Sequence, residues 1–358
     1  MGDLKVIVLD NFKEVGDKIV DHLKEKDCII NYRRERFANG EGKAIIDGTV
    51  RGRDLYILSD VGNYGITYKM HGKDHEMGPD EHFQDIKRVV CANSGQARKI
   101  TLIMPLLYQS RQHRRKGKES LDCALALQEL ERLGVNHIIT LDVHDPNVCN
   151  AIPNLPFENF YPTNEILEEY IENEETDNLL VVSPDMGAME RARYYADMLG
   201  CDVGVCYKRR DLTKVVNGKN PVIEHMYMGA NVEGKNILVV DDMIASGGSI
   251  VDVGEKLKEN GANEITFVAT FSLFTEGIEV FDKAYKAGLF DKLYTTNATY
   301  IPEEYKDREW LHIVDVSEKI AKIIKTLHKE ESIKPLRDGK ENILNKLKEK
   351  NKVIKKES

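Results

Sequence analysis

The chain has 358 residues, of which 41% are hydrophobic, 31% charged and 7% aromatic. That composition excludes the disordered and fibrous classes, and at about 150 residues per domain it leaves room for two domains with their own cores. Fifty-one Lys and Arg against 60 Asp and Glu give a net charge of −9, so the summed field disfavours nucleic acid and anionic membranes, while a local basic patch can still bind phosphate. The six cysteines, Cys28, Cys91, Cys123, Cys149, Cys201 and Cys206, contain no C-x-x-C pair and suggest reduced, mostly buried thiols instead of a disulfide framework or zinc site. The longest apolar stretch, 102–108, is broken by Pro105 and is far shorter than the ~20 residues a membrane span needs. Residues 1–10 lack a basic region and a small-residue cleavage site, so a cytoplasmic protein is expected.

Strand-sized apolar runs recur at 6–9, 55–58, 100–104, 137–141, 179–182, 203–206, 237–240 and 265–270. Helical spacing lies between them: Leu121, Ala124, Leu125, Leu130 and Leu133 stopped by Gly134, and 250–260 stopped by Gly261. The alternation predicts an α/β protein with mostly parallel sheets flanked by helices. A proline-rich stretch at 151–157, ending at Pro162 and Thr163, is the expected domain boundary. The expected organisation is therefore 1–160, 161–316, a C-terminal helix at 317–330, and a Lys/Glu-rich tail at 331–358 read as a solvated helix or disordered extension.

In chain order, Phe37 offers an aromatic face beside Asn39 and Glu41, a set able to stack on a purine and bond its edge, although alone it reads as a surface turn. His71, His75, Glu76 and His82 cluster among glycine and proline, which argues for an irregular loop over a dedicated metal site. Residues 108–118 are a basic run holding Arg111, Gln112 and His113: either a solvated face or a loop that closes over a polyphosphate. Asp142 and Asp185 each follow an apolar strand, where open α/β sheets bind ligands. His144 by itself reads as a hydrogen-bonded loop histidine. Lys208 and Arg210 are spaced by two in an extended segment, so they share a face that could clamp a polyphosphate or be a solvated edge.

The most informative segment is 236–250. An apolar strand runs into Asp241 and Asp242, then Ala245, Ser246, Gly247, Gly248 and Ser249, then a helix start. Small residues let the backbone turn and approach an anion, and a helix start aims free N–H groups at it. The acids can accept hydrogen bonds from vicinal hydroxyls, so the implied ligand is a sugar phosphate. A plain capped strand-to-helix turn is the bland alternative. No Walker A loop and no complete G-x-G-x-x-G is present.

This loop resembles the phosphoribosyl-diphosphate motif of the phosphoribosyltransferase fold, and further segments resemble ribose-phosphate pyrophosphokinases over about 37–332. Two phosphoribosyltransferase-like domains are implied, an ATP side at 1–160 and a ribose 5-phosphate side at 161–316. The resemblance assigns Phe37, Asn39, Glu41, Arg111 and Gln112 to ATP, and Asp241, Asp242, Ala245, Ser246, Gly247, Gly248 and Ser249 to ribose 5-phosphate. It makes His144 and Asp185 Mg²⁺ residues and Lys208 and Arg210 catalytic. It further implies a homo-oligomer, commonly a hexamer. The chain departs from the family pattern at His113 in place of an acid, Ala188 in place of a second glycine, Ala245 in place of a frequent Asp, and 10–12 in place of a Ser-Gly-Ser-like start. The expected reaction is diphosphoryl transfer from MgATP to the anomeric hydroxyl of ribose 5-phosphate, with a nucleobase phosphoribosyltransferase, a regulatory paralogue or a metabolite-binding module as alternatives.

Overall fold

The computed structural model describes the backbone of residues 2–25, 27–210 and 222–357; the side chains of 208–210, 222–225 and 351–357 lie outside the described residues. The chain divides into two compact units. The first comprises Met1–Pro162, Asn297–Pro302 and Asp315–Arg337, and the second Thr163–Thr296, Glu303–Val314 and Asp338–Ser358. Unit 1 thus takes back two later segments of which the sequence gives no sign.

Unit 1 runs β1 (Leu4–Val8), α1 (Lys13–Leu23), β2 (Asn31–Arg36), β3 (Gly42–Asp47), β4 (Asp54–Leu58), β5 (Thr67–Met70), β6 (Lys73–Glu76), α2 (Pro79–Ala92), β7 (Lys99–Ile103), α3 (Asp122–Arg132), β8 (His137–Leu141) and β9 (Phe157–Phe160). Its main sheet is parallel, in the order β1-β4-β7-β8-β9. Every residue of β4 and β8 is buried, as strands covered on both faces must be, and this is why they are continuous apolar runs in the sequence. Leu55, Ile57, Leu102 and Ile138 form the middle of the core with Ile86 and Val89 of α2 and Leu127 and Leu130 of α3. Truncating one of these to Ala would cost about 2–5 kcal/mol. Helix α2 starts on Pro79, and the Gly78 N–H donates to the Glu81 carboxylate at 3.0 Å, a pairing that satisfies an otherwise orphaned donor.

Unit 2 runs α4 (Thr163–Asn173), β10 (Leu179–Ser183), α5 (Met189–Leu199), β11 (Asp202–Arg210), β12 (Val222–Gly229), β13 (Asn236–Ile244), α6 (Gly248–Glu259), β14 (Ile265–Ser272), α7 (Glu279–Lys286), β15 (Lys292–Thr296) and β16 (Leu311–Val314). Its sheet has the order β12-β11-β10-β13-β14-β15-β16 and is parallel except where β12 pairs antiparallel with β11 at one edge. Helix α6 ends as the sequence predicts, at Gly261 with φ +82°. The chain then gives α8 (Ser317–His328), which packs on α1 within unit 1, α9 (Lys334–Arg337) and α10 (Lys340–Glu357).

Two expectations are corrected. The stretch holding His71 and His75 is not an irregular loop: β5 and β6 form an antiparallel hairpin turned at His71 and Gly72, both with positive φ, while His82 lies in α2 with its Nε2 at 2.5 Å from the Asn63 carbonyl. The end of the chain is not simply solvated. Ile343 and Leu347 of α10 are buried in the unit 2 core, and Lys346 bonds Glu168 at 3.2 Å and Glu172 at 2.9 Å on α4. Two apolar residues one turn apart make a stripe too narrow to stand out among so many charges, yet wide enough to dock once α4 presents carboxylates beside it.

Candidate active-site residues in each unit

In unit 2 the strand β13 carries the acid pair further into the sheet than its apolar run, since Asp241 pairs with Ala269 and the ladder continues to Ile244. Asp242 is buried and Asp241 half-buried. Arg191, on the first turn of α5, places Nη1 4.0 Å from Oδ1 of both. Burial pushes the Asp241 pKa well above the usual carboxylate range, and neighbouring Asp242 and Asp185 add to this while Arg191 opposes it. A site holding this much negative charge favours hydroxyl donors or a cation.

The turn follows directly. Ala245 accepts a hydrogen bond from the Thr275 N–H at 3.0 Å, and Gly247, at φ +81°, is the last residue before α6. A Cβ there would stand 2.9 Å from the Phe281 ring, so both backbone and packing require glycine. No side chain caps α6, which leaves its first N–H groups and the positive end of its dipole directed past Ser246, Gly248 and Ser249. Among the sequence candidates of unit 2, the structure brings Asp185, Asp241 and Asp242 together beside this turn.

Asp185 is exposed, with Oδ1 accepting from the N–H of Gly187 at 2.7 Å and of Ala188 at 3.1 Å. Ala188 has φ −87°, a conformation open to any residue, so alanine meets the backbone demand of this turn without strain. Lys208 and Arg210 lie near the end of β11, whose ladder with β12 shifts register between Arg209 and Arg210. That shift interrupts the regular pleat on which the spacing argument relied; their side chains lie outside the described residues.

In unit 1 the candidates occupy three places. Phe37, Asn39 and Glu41 form the tip joining β2 to β3, closed by bonds from the Phe37 N–H to the Glu41 carbonyl and from Gly40 N–H to the Phe37 carbonyl, both 2.8 Å. Asn39 and Glu41 are also tied together, at 3.0 and 3.2 Å, and Phe37 is 52% exposed, which leaves the face of its ring accessible. Arg111 is exposed, and Gln112 anchors its loop by donating to the Ser120 carbonyl at 2.7 Å. No hydrogen bond, ion pair or ring contact joins 37–41 to Arg111 or Gln112 among the described residues.

His144 is exposed and meets His113 edge to face, centroids 5.4 Å apart. Between them sits a residue that sequence reasoning missed. Asp145 Oδ1 accepts from the Asn147 N–H and Nδ2, each at 2.9 Å, while Oδ2 lies 3.2 Å from His113 Nε2 and accepts from Arg114 at 2.9 Å. Burial raises its pKa, but Asn147, Arg114 and His113 outweigh this and hold it below the usual range. Asp145 therefore pins the middle of the basic loop to the turn bearing His144. Arg191 was missed likewise; Asp145 reads locally only as a cap bonded to Asn147, and the contacts that matter here, Asp145 with His113 and Arg114 and Arg191 with the acid pair, join residues distant along the chain.

Among the described residues no three acidic, His or Cys side chains form a preformed metal cage. The exposed Asp185 carboxylate beside the acid pair suits a hard ion that keeps its waters and phosphate oxygens, which is how Mg²⁺ is held, so the donor set of unit 2 fits that ion. No helix among the described residues is long and apolar enough to cross a membrane.

Comparison with known proteins covers both units. Residues 4–134 match the family model for the N-terminal domain of ribose phosphate pyrophosphokinase, and residues 162–295 match that for the phosphoribosyl transferase domain. The chain is 27% identical over 338 residues to a ribose-phosphate pyrophosphokinase of Corynebacterium ammoniagenes, covering 93% of this chain and 97% of that one. It is 28% identical over 341 residues to that of Oceanobacillus iheyensis, covering 94% and 97%. Its fold is similar to the crystal structure of phosphoribosylpyrophosphate synthetase from Mycobacterium smegmatis, with a TM-score of 0.77, 22% identity, and 92% and 99% of the two chains covered.

Proposed function

From the premise that this chain belongs to the ribose-phosphate pyrophosphokinase family, we propose that it transfers the β,γ-diphosphoryl group of MgATP to the anomeric hydroxyl of ribose 5-phosphate. The anomeric oxygen attacks the β-phosphorus, the bond from that phosphorus to the bridging oxygen of the α-phosphate breaks, the hydroxyl proton is lost, and AMP leaves. The observation that carries the reading is the 241–249 turn: an uncapped helix start for the 5-phosphate, behind an acid pair that accepts hydrogen bonds from the ribose hydroxyls.

In this reading Ala245, Ser246, Gly247, Gly248 and Ser249 bind the phosphate and Asp241 and Asp242 orient the sugar. Arg191 limits the repulsion between the acids. Phe37 stacks on the purine, Asn39 and Glu41 meet its edge, and Arg111 and Gln112 bind the polyphosphate. Lys208 and Arg210 neutralise charge at the transferring group, because a phosphoryl transfer asks the protein for alignment and electrostatic stabilisation more than covalent chemistry. Asp185 in unit 2 and His144 in unit 1 are the residues that would hold Mg²⁺, which would supply Lewis-acid neutralisation of phosphate oxygens when bound. A homo-oligomer in the cytoplasm is the setting we propose for it.

The test mixes purified protein, Mg²⁺, ATP and ribose 5-phosphate and follows nucleotides by chromatography. AMP formed in equal amount with phosphoribosyl diphosphate is expected. ADP would mean ordinary kinase chemistry, and binding without product would mean a regulatory paralogue; either overturns the reading.

A further inference from the structure

The β5–β6 hairpin is the part of unit 1 that the proposed reaction leaves unused. It is exposed and polar, and a lone two-stranded hairpin is at best marginally stable in water. Its contacts lead to one place. The His71 N–H donates to the Ala38 carbonyl at 3.0 Å. Met70 occupies the space that a Cβ on Gly40 would need, its sulfur 2.7 Å from that position, and Gly40 has φ +93°. The Arg36 guanidinium stands 5.0 Å over the Tyr68 ring and bonds Asp85 of α2 at 2.9 Å, and Tyr68 in turn pairs across its hairpin with His75, ring centroids 5.8 Å apart.

The pattern at the β2–β3 tip is an alternation. Residues 36, 38 and 40 are engaged by the second hairpin, Ala38 through its carbonyl although the residue itself is exposed, while 37, 39 and 41 are exposed. The base of the β2–β3 hairpin is fixed differently, by Tyr32, Ala44 and Ile46 against the core. Nearer the tip the other support is from α2, through the Arg36–Asp85 pair at 2.9 Å and Arg88 beside Gly42.

We propose that β5–β6 is a positioning element for the nucleotide base: by gripping Arg36, Ala38 and Gly40 it presents Phe37, Asn39 and Glu41 in the conformation that receives the ATP purine. Tyr68 is its central positioning residue. The inference rests on the reading that ATP meets the 37–41 tip. Since apparent affinity falls with the fraction of competent conformer, a tip competent one tenth of the time would weaken ATP binding about tenfold.

Three variants test it. Tyr68→Ala removes the ring, Tyr68→Phe keeps it, and replacement of 67–76 by Asn-Gly excises the hairpin at a point where the Met77 N–H already bonds the Ile66 carbonyl at 2.8 Å. The expected result is an ATP KM raised about tenfold in Tyr68→Ala and in the excision, unchanged KM for ribose 5-phosphate, unchanged kcat, and wild-type values in Tyr68→Phe. An unchanged ATP KM, or equal rises in both KM values, would overturn the proposal. Amide hydrogen exchange at 38–41 separates it from the functional reading. If the wild-type protein forms no AMP, that reading fails, and faster exchange in Tyr68→Ala still supports the buttress while unchanged exchange refutes it.

Discussion

The two groups of binding residues are built in opposite ways. The residues proposed for the sugar phosphate in unit 2 all fall within nine positions, 241–249, on one strand, one turn and one helix start, fixed by a parallel ladder on one side and by Gly247 against Phe281 on the other. The residues proposed for the nucleotide and its ion in unit 1 are carried by a hairpin tip, a basic loop and a turn after β8, each held by a few polar contacts. A site on a buried strand end is preorganised by the core itself, whereas a site on tips and loops needs its own supports, here Asp145 with His113 and Arg114, and the β5–β6 hairpin.

Substitutions can break that contrast. The largest effect is expected at Lys208→Ala, which removes a cation from the transferring group and should lower turnover by roughly 100-fold or more with the fold intact; near-normal turnover would remove Lys208 from the mechanism. Next comes Gly247→Val, where a Cβ meets Phe281 and φ is +81°. The ribose 5-phosphate KM should rise by about tenfold, with stability lost by about 1–3 kcal/mol, readable by titration and thermal melting.

Asp145→Ala tests the other side of the contrast. Freed from Oδ2, the basic loop should cost several-fold in ATP KM and kcat together, while ribose 5-phosphate binding, measured by calorimetry, stays as it was. An effect confined to the sugar would refute the assignment of this loop to ATP.

The smallest effect on activity is expected at Asp60→Asn, whose carboxylate bonds Gly62, Thr299 and Tyr300 and none of the proposed binding residues. Asp60 is fully buried, and burial raises its pKa to about 7 from 3.8, against the opposing bonds from the Gly62 and Tyr300 N–H groups and Thr299. A carboxyl with a raised folded-state pKa binds its proton more tightly when folded, so its contribution to stability is present below pH 3.8 and is lost as pH rises to about 7. The slope is at most about 1.4 kcal/mol per pH unit for one proton. Melting temperatures across this range should fall less steeply in Asp60→Asn, and equal slopes would show that Asp60 is not the titrating group.

Much of this arrangement was legible beforehand where information is local. The β13–α6 loop could be read because strand, acids, small residues and helix start are contiguous, and Gly261 marked the end of α6 because a helix ends most easily in positive φ. The β5–β6 hairpin was misread because β5 alternates Tyr68 and Met70 with Thr67 and Lys69 over only four residues and β6 is polar throughout, too short a pattern to stand out as two paired strands. Helix α10 was misread because Ile343 and Leu347 are few among charges that look solvated until Glu168 and Glu172 of α4 are placed opposite them.

What the sequence alone determined is the α/β alternation, the buried parallel strands and the phosphate turn, since each depends on residues within one element and its neighbours along the chain. The tertiary structure alone decided that Arg191 lies beside the acid pair, that Asp145 binds the basic loop, that 315–337 rejoins unit 1, and that one hairpin grips the tip of another. Those contacts join positions tens to hundreds of residues apart, and which such pair meets is fixed by how the layers pack, a quantity that no local pattern of residues encodes.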